Sequence, residues 1–87
     1  MDKEKTTIIC REEIRKEKIK LDITDVANAL REKGYNPVAQ LSGYMISGDP
    51  AYITNHKNAR AKISQIKPQD IIEVLLEDFL KEMAKRK

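Results

Sequence analysis

The chain has 87 residues, of which 40% are hydrophobic, 5% aromatic and 36% charged, and its net charge is +3 at pH 7. This length allows one domain at most, with a core thin enough that dimerisation is a common remedy. The single cysteine, Cys10, excludes an internal disulfide and a zinc cluster. No apolar run reaches the ~18 residues of a transmembrane helix, and no signal-peptide core follows the start MDKEK. We therefore expect a cytoplasmic protein without membrane insertion.

The first eleven residues show little helical periodicity. Thr7 to Cys10 would suit a short strand, but no second strand candidate is available, and an unpaired strand has no partner for its backbone hydrogen bonds. We therefore predict a flexible tail over residues 1–11 and a helical domain over residues 12–87.

The first predicted helix begins between Glu12 and Asp22 and ends at Gly34, which suits the left-handed conformation that follows many helices. Its apolar residues recur at the helical period and form one stripe. They are Ile19, Ile23, Val26, Ala27 and Leu30.

Two Asx-Pro pairs, Asn36-Pro37 and Asp49-Pro50, mark positions at which a new helix is expected to begin. Asn and Asp are strong N-caps, and proline is favoured at the first helical position. We predict a short helix from about Pro37 to Ser47 and a turn of helix after Pro50. Gly43 inside the short helix costs about 1 kcal/mol relative to alanine. Close approach of a neighbouring helix would explain it, and a sequence accident is the alternative.

A third helix is predicted from about Asn55 to Gln65, with basic residues on its outer face. Together with the preceding short helix it has an approximate helix-turn-helix spacing, so a small nucleic-acid-binding protein is the alternative function. The link SGDPAYI is longer than the usual three or four residues of that motif, and the chain is only mildly basic. Nucleic acid is therefore an unlikely partner.

Pro68 opens the last predicted helix, which carries an apolar stripe too wide for one small neighbour to cover. Ile71 belongs to this stripe, and we expect the rest of it to form a homodimer interface. The predicted interface residues are Ile72, Leu75, Leu76, Phe79, Leu80 and Met83.

Catalytic, cofactor-binding and metal-binding residues are not evident. His56 is the only histidine, whereas metal sites usually need three or four ligands. Gly43 and Gly48 do not form a phosphate-binding loop, and Cys10 has no base fixed nearby in the sequence. We expect no enzyme, no cofactor and no metal.

Several short segments of the sequence resemble those of the IreB family, over a region from about Ile19 to Leu80. The longest and most unusual is SGDPAYI at 47–53. The others are TDV at 24–26, EKGYNP at 32–37, GY at 43–44, Ala59-Arg60 and IIEVL at 71–75.

The resemblance implies a small, cytoplasmic, all-helical and dimeric regulator without catalytic activity, of a type found in Gram-positive bacteria. Such proteins are phosphorylated by a membrane Ser/Thr kinase that senses cell-wall state, and they act negatively on intrinsic cephalosporin resistance. Their phosphorylated threonines lie in the N-terminal tail, which makes Thr6 and Thr7 the counterparts here. The flanking residues in KTTIICRE differ from the family's apolar-basic-aromatic stretch, so plain polar residues are the alternative. The downstream protein target is unknown.

Overall fold

The computed structural model describes the backbone of residues 2–85 and the side chains of residues 11–85. Within that part of the chain all regular structure is helical, which confirms the predicted all-α class. The four α-helices are α1 (Asp2–Glu32), α2 (Pro37–Ser47), α3 (Ala59–Ser64) and α4 (Pro68–Lys85). Two short 3₁₀ turns, Pro50–Tyr52 and His56–Asn58, lie between α2 and α3.

Helix α1 begins at Asp2, well before the start between Glu12 and Asp22 that apolar periodicity indicated. The first half of α1 is rich in Lys, Glu and Arg, which are strong helix formers. Ion pairs spaced by three or four residues support it, including Glu12–Arg15 at 3.6 Å and Lys18–Asp22 at 3.1 Å. The 31 residues of α1 span about 46 Å. The expected mobility of residues 1–11 remains a prediction.

Glycines end the first two helices as predicted. Gly34 has a φ of 86°, and the N–H groups of Gly34 and Tyr35 donate to the carbonyls of Arg31 and Leu30, both at 2.9 Å. This pair of bonds is a Schellman motif. Gly48, with a φ of 73°, ends α2 by donating to the carbonyl of Tyr44 at 2.6 Å.

Both predicted caps are present. The Asn36 side chain accepts hydrogen bonds from the N–H groups of Val38 and Ala39 at 2.9 and 3.2 Å. The Asp49 side chain accepts one from Ala51 at 2.9 Å. Each cap satisfies N–H groups that a helix start leaves without a partner, and the following proline fixes the first turn.

The predicted third helix, Asn55 to Gln65, is wrong in its first half. Lys57 and Asn58 have φ values of 54° and 62°, which break the helix and leave α3 only six residues long, Ala59–Ser64. Asparagine tolerates the left-handed region, which helps to explain the break at Asn58.

The core draws on all four α-helices and on the links between them. The buried side chains of α1 face those of α2, α3 and α4, and Ile53 is fully buried in the link after α2. The Tyr44 hydroxyl donates to the carbonyl of Ile63, 3.2 Å away, near the end of α3. Burial raises the pKa of Tyr44. The remaining core residues are Ile19, Val26, Ala29, Leu30, Ala59, Ile66, Ile71 and Val74.

Candidate interaction surface

Helix α4 has two faces of opposite exposure. Ile71 and Val74 point into the core, where they are 0% and 3% exposed. The six residues predicted to form a dimer interface lie on the rest of the helix, and each is 40% exposed or more. Their exposures are Ile72 40%, Leu75 40%, Leu76 54%, Phe79 62%, Leu80 55% and Met83 52%. We call this set the α4 apolar face.

Ion pairs to α1 hold α4 in place. Lys16 lies 3.1 Å from Glu77 and Lys20 lies 2.9 Å from Asp78. The hydrogen bond to Asp78 raises the pKa of Lys20. These contacts use polar residues of α4 and leave the six side chains of the α4 apolar face exposed.

An exposed apolar face of this kind has few explanations other than a binding surface. Single exposed apolar residues are ordinary, but contiguous apolar patches on a small domain usually mark an interaction site. The six residues lie on successive turns of one helix, so they form one continuous strip. The α4 apolar face is therefore the candidate interaction surface of this domain.

The basic residues after α2 form ion pairs and hydrogen bonds with other residues of the same chain. Glu32, the last residue of α1, lies 2.7 Å from the His56 ring nitrogen Nε2 and 3.2 Å from the Lys57 ammonium. Hydrogen bonds from His56 and then from Lys57 lower the pKa of Glu32. These contacts join the end of α1 to the 3₁₀ turn His56–Asn58.

Two further basic residues of this segment are engaged in the same way. Lys62 lies 2.9 Å from Asp25 of α1, and the Arg60 Nε donates to the carbonyl of Ile53 at 2.9 Å. A recognition helix needs basic side chains that are free to reach phosphates and bases. Here the second helix, α3, has only six residues, and the basic side chains contact groups of the same chain. The arrangement therefore does not favour a helix-turn-helix function.

The segment from Gly34 to Ile53 is a structural corner. In addition to the caps at Asn36 and Asp49, the Gln40 side-chain amide donates to the carbonyl of Tyr52 at 2.8 Å. The Ser47 hydroxyl donates to the carbonyl of Gly43 and accepts from the N–H of Asp49, at 2.7 and 3.0 Å. The polar side chains of SGDPAYI thus satisfy local backbone groups, and this use explains the unusual composition of that block.

The two candidate phosphoacceptors, Thr6 and Thr7, lie in the first two turns of α1, where the backbone is helical. Their side chains lie outside the described residues. Two other threonines have local partners: the Thr24 hydroxyl donates to the carbonyl of Lys20 at 2.9 Å, and Thr54 accepts from the N–H of His56 at 3.2 Å.

Among the described side chains, 11–85, no group of three His, Cys, Asp or Glu residues is arranged to hold a metal ion. None of the described helices combines the length and the apolar character that a membrane crossing requires.

Sequence reasoning missed Glu32 and Asp25 as the partners of the basic segment. Both contacts join residues that are 24 or more positions apart, and each acid lies in an ordinary charged stretch of α1. Only the packing of α1 against α3 and the 3₁₀ turn His56–Asn58 brings these charges together, so the sequence offered no local signal for them.

A family model described as "IreB regulatory phosphoprotein" matches residues 4–81 of the chain. The matched region includes Thr6, Thr7, both Asx-Pro corners and most of α4.

Proposed function

Because the chain belongs to the IreB family of regulatory phosphoproteins, we propose that it is a non-enzymatic regulator and the substrate of a membrane Ser/Thr kinase. The observation that carries this proposal is the family match over residues 4–81, which covers nearly the whole chain and both candidate phosphoacceptors. The exposed α4 apolar face supports it, because a protein that regulates by binding needs such a surface.

We assign the phosphorylation to Thr6 and Thr7. A kinase generally needs an accessible and extended substrate peptide, so phosphorylation here requires the first turns of α1 to unwind. The end of a helix is the part that opens most readily. No core residue lies before Ile19 among the described side chains, 11–85, so unwinding of the first turns would leave the core unchanged.

Each phosphate adds roughly −1.5 to −2 charges at neutral pH. In a helical backbone, Lys3 and Arg11 occupy positions one turn before and one turn after Thr7. Arg15 and Lys16 lie further along α1 and already contact Asp70 and Glu77 of α4. A phosphate near Arg15 and Lys16 would compete with Asp70 and Glu77 for these two basic side chains. Phosphorylation would thereby weaken the contacts between α1 and α4, the helix that carries the interaction surface.

Kinase treatment of the purified protein tests the assignment. The wild type should take up phosphate on the peptide that contains Thr6 and Thr7. The Thr6→Ala, Thr7→Ala double variant should take up none, with an unchanged circular dichroism spectrum. Thr24→Ala is a matched control, since Thr24 lies on the same helix, and it should be phosphorylated like the wild type. Undiminished labelling of the double variant would place the acceptor elsewhere.

The second part of the proposal is a homodimer that forms through the α4 apolar face. A chain of 87 residues buries a limited core, and full burial of one Leu or Phe side chain contributes about 1.5–3 kcal/mol. Each of the six side chains, 40–62% exposed, would contribute part of that amount on burial against a second copy, and together these contributions oppose the cost of association.

The cellular role that follows is negative control of intrinsic cephalosporin resistance in the cytoplasm of a Gram-positive bacterium, through a protein target that remains to be identified. Deletion of the gene in the source organism should raise cephalosporin resistance, and a wild-type copy should restore susceptibility. A strain that carries the Thr6→Ala, Thr7→Ala copy should differ in susceptibility from the strain that carries the wild-type copy, because the variant cannot be phosphorylated by the kinase. Identical resistance in the deletion strain and its parent would contradict this role.

A further inference from the structure

We propose that the two copies pair through α4 in antiparallel orientation, with Ile72 of one subunit facing the partner's Met83. This inference rests on the homodimer proposed above and specifies its geometry. It concerns the α4 apolar face and a second copy of this chain as its occupant.

The spacing of the α4 apolar face is symmetric about its centre. The intervals between successive members are three, one, three, one and three residues, from Ile72 to Met83. An antiparallel helix pair centred between Glu77 and Asp78 therefore places Ile72 opposite the partner's Met83. The same register places every other apolar residue of the face opposite an apolar residue. The two remaining pairs are Leu75 with the partner's Leu80, and Leu76 with the partner's Phe79.

Charge favours the antiparallel orientation over the parallel one. Asp70 and Glu73 lie in the first turns of α4, whereas Lys81 and Lys85 lie in its last turns, with Glu82 as the exception. In a parallel pair each cluster would face its own copy, and like charges repel. In the antiparallel register the acidic first turns of each α4 run beside the partner's basic last turns, and the two helix dipoles point in opposite directions.

Burial favours the same orientation. Ile71 and Val74 anchor the first two turns in the core, whereas every residue from 75 to 85 is exposed. The second half of α4 therefore buries no side chain in the core, and surface ion pairs from Lys16 and Lys20 join it to α1. An antiparallel partner lays its own anchored first turns over this half of the helix. A parallel partner would instead pair the two halves that bury no side chain in a core.

Disulfide trapping distinguishes the two orientations, because a disulfide needs Cα atoms within about 7 Å. In a Cys10→Ser background, Ile72→Cys and Met83→Cys are made as separate full-length proteins. In the antiparallel register two copies of residue 72 lie eleven residues apart along the helix axis, about 16 Å. Neither variant alone should form a disulfide-linked dimer on oxidation, whereas the mixed and subunit-exchanged pair should do so.

A second pair, Leu75→Cys with Leu80→Cys, provides the same test if the first pair fails to fold. Lys81→Cys is the matched control, because this exposed position lies off the apolar face and should remain unlinked, alone or mixed. The native mass of each variant is measured before oxidation.

The outcomes are distinguishable. Linkage only in the mixtures supports the antiparallel pair. A native dimer in which Ile72→Cys and Met83→Cys each link to their own copies overturns the orientation and leaves the proposed homodimer intact. A native dimer without any linkage moves the interface away from α4. A native monomer removes the homodimer and this geometry together, while the phosphorylation of Thr6 and Thr7 is tested independently.

Discussion

A Cβ atom on Gly43 would lie 2.5 Å from two ring carbons of Tyr52. The ring of Tyr52 therefore sits against the backbone of α2 at the one position where no side chain intervenes. The Gln40 amide, one turn earlier in α2, holds the Tyr52 carbonyl at 2.8 Å. Gly43 is thus explained by close approach, although its neighbour is the 3₁₀ turn Pro50–Tyr52 and not one of the α-helices.

Gly43→Ala should destabilise the protein even though alanine is the better helix former by about 1 kcal/mol. The new methyl group would overlap the Tyr52 ring, and overpacking of this kind costs about 1–3 kcal/mol. We expect a lower urea midpoint and a lower melting temperature for Gly43→Ala than for the wild type.

The matched control for that variant is the same substitution in a Tyr52→Ala background. Without the ring the overlap disappears, and Gly43→Ala should become neutral or stabilising, so the effect changes sign between the two backgrounds. An equal loss of stability in both backgrounds would show that the Tyr52 ring is not the reason for glycine at this position.

Asn36→Ala should reduce stability by about 1 kcal/mol, because it removes the acceptor for two N–H groups at the start of α2. Asp49→Ala removes a single acceptor at the start of a one-turn 3₁₀ helix, and its effect should be smaller. Urea denaturation measures both losses. If either variant kept its stability but lost binding to a partner protein, this corner would be a functional surface and not an architectural element.

The cluster of Glu32, His56 and Lys57 predicts an acid-dependent loss of stability. The pKa of Glu32 is lowered from 4.5 in the folded state. Its stabilising contribution is therefore complete above the unfolded-state pKa and is lost as the pH falls through the lower folded-state pKa. The difference in unfolding free energy between the wild type and Glu32→Gln should be present at neutral pH and disappear well below pH 4.5.

Glu13→Gln is the control for this pH series. Glu13 is an exposed carboxylate on the same helix and has no ion pair among the described residues. Its substitution should change the unfolding free energy little, because Glu13 makes no such contact. A Glu32→Gln difference that stayed constant through the acid range would mean that the ion pairs of Glu32 do not stabilise the fold.

Binding to nucleic acid should be weak, independent of sequence and steeply dependent on salt. His56, Lys57 and Lys62 lie within 3.2 Å of acidic groups in α1, so they must leave these partners before they can reach a phosphate. Titration of labelled duplexes at increasing salt measures this. Tight binding to one duplex sequence at physiological salt would instead favour the helix-turn-helix alternative.

Most helix boundaries were predictable because local residues determine them. Asn36-Pro37, Asp49-Pro50 and Gly48 each mark a boundary that the structure confirms. The start of α1 was missed because its first half depends on charged helix formers and not on an apolar stripe. The break at Lys57 was missed because a left-handed lysine has no sequence signature.

The exposed character of the α4 apolar face was predictable in part. The width of the stripe indicated that one neighbour cannot cover it, and the structure leaves all six predicted residues exposed. The sequence pattern could not show whether the same chain or a partner covers these residues, because an apolar stripe of this width suits a buried helix as well as an interface.

Substitution in the α4 apolar face should separate the subunits. Leu76→Glu would place an unpaired charge in the interface, which costs several kcal/mol, and should give monomeric or insoluble protein. Ile14→Glu is the matched control, since Ile14 is a 66% exposed apolar residue of α1 outside that face. It should leave the native mass unchanged.

The most direct measurement is the native mass of the wild-type protein at micromolar concentration, before and after incubation with a Ser/Thr kinase. One chain has a mass of 10.0 kDa. We expect twice that mass in the untreated sample, and phosphate on the peptide containing Thr6 and Thr7 in the treated one. A native mass of 10.0 kDa for the untreated wild type would contradict the assignment of the α4 apolar face as a homodimer interface.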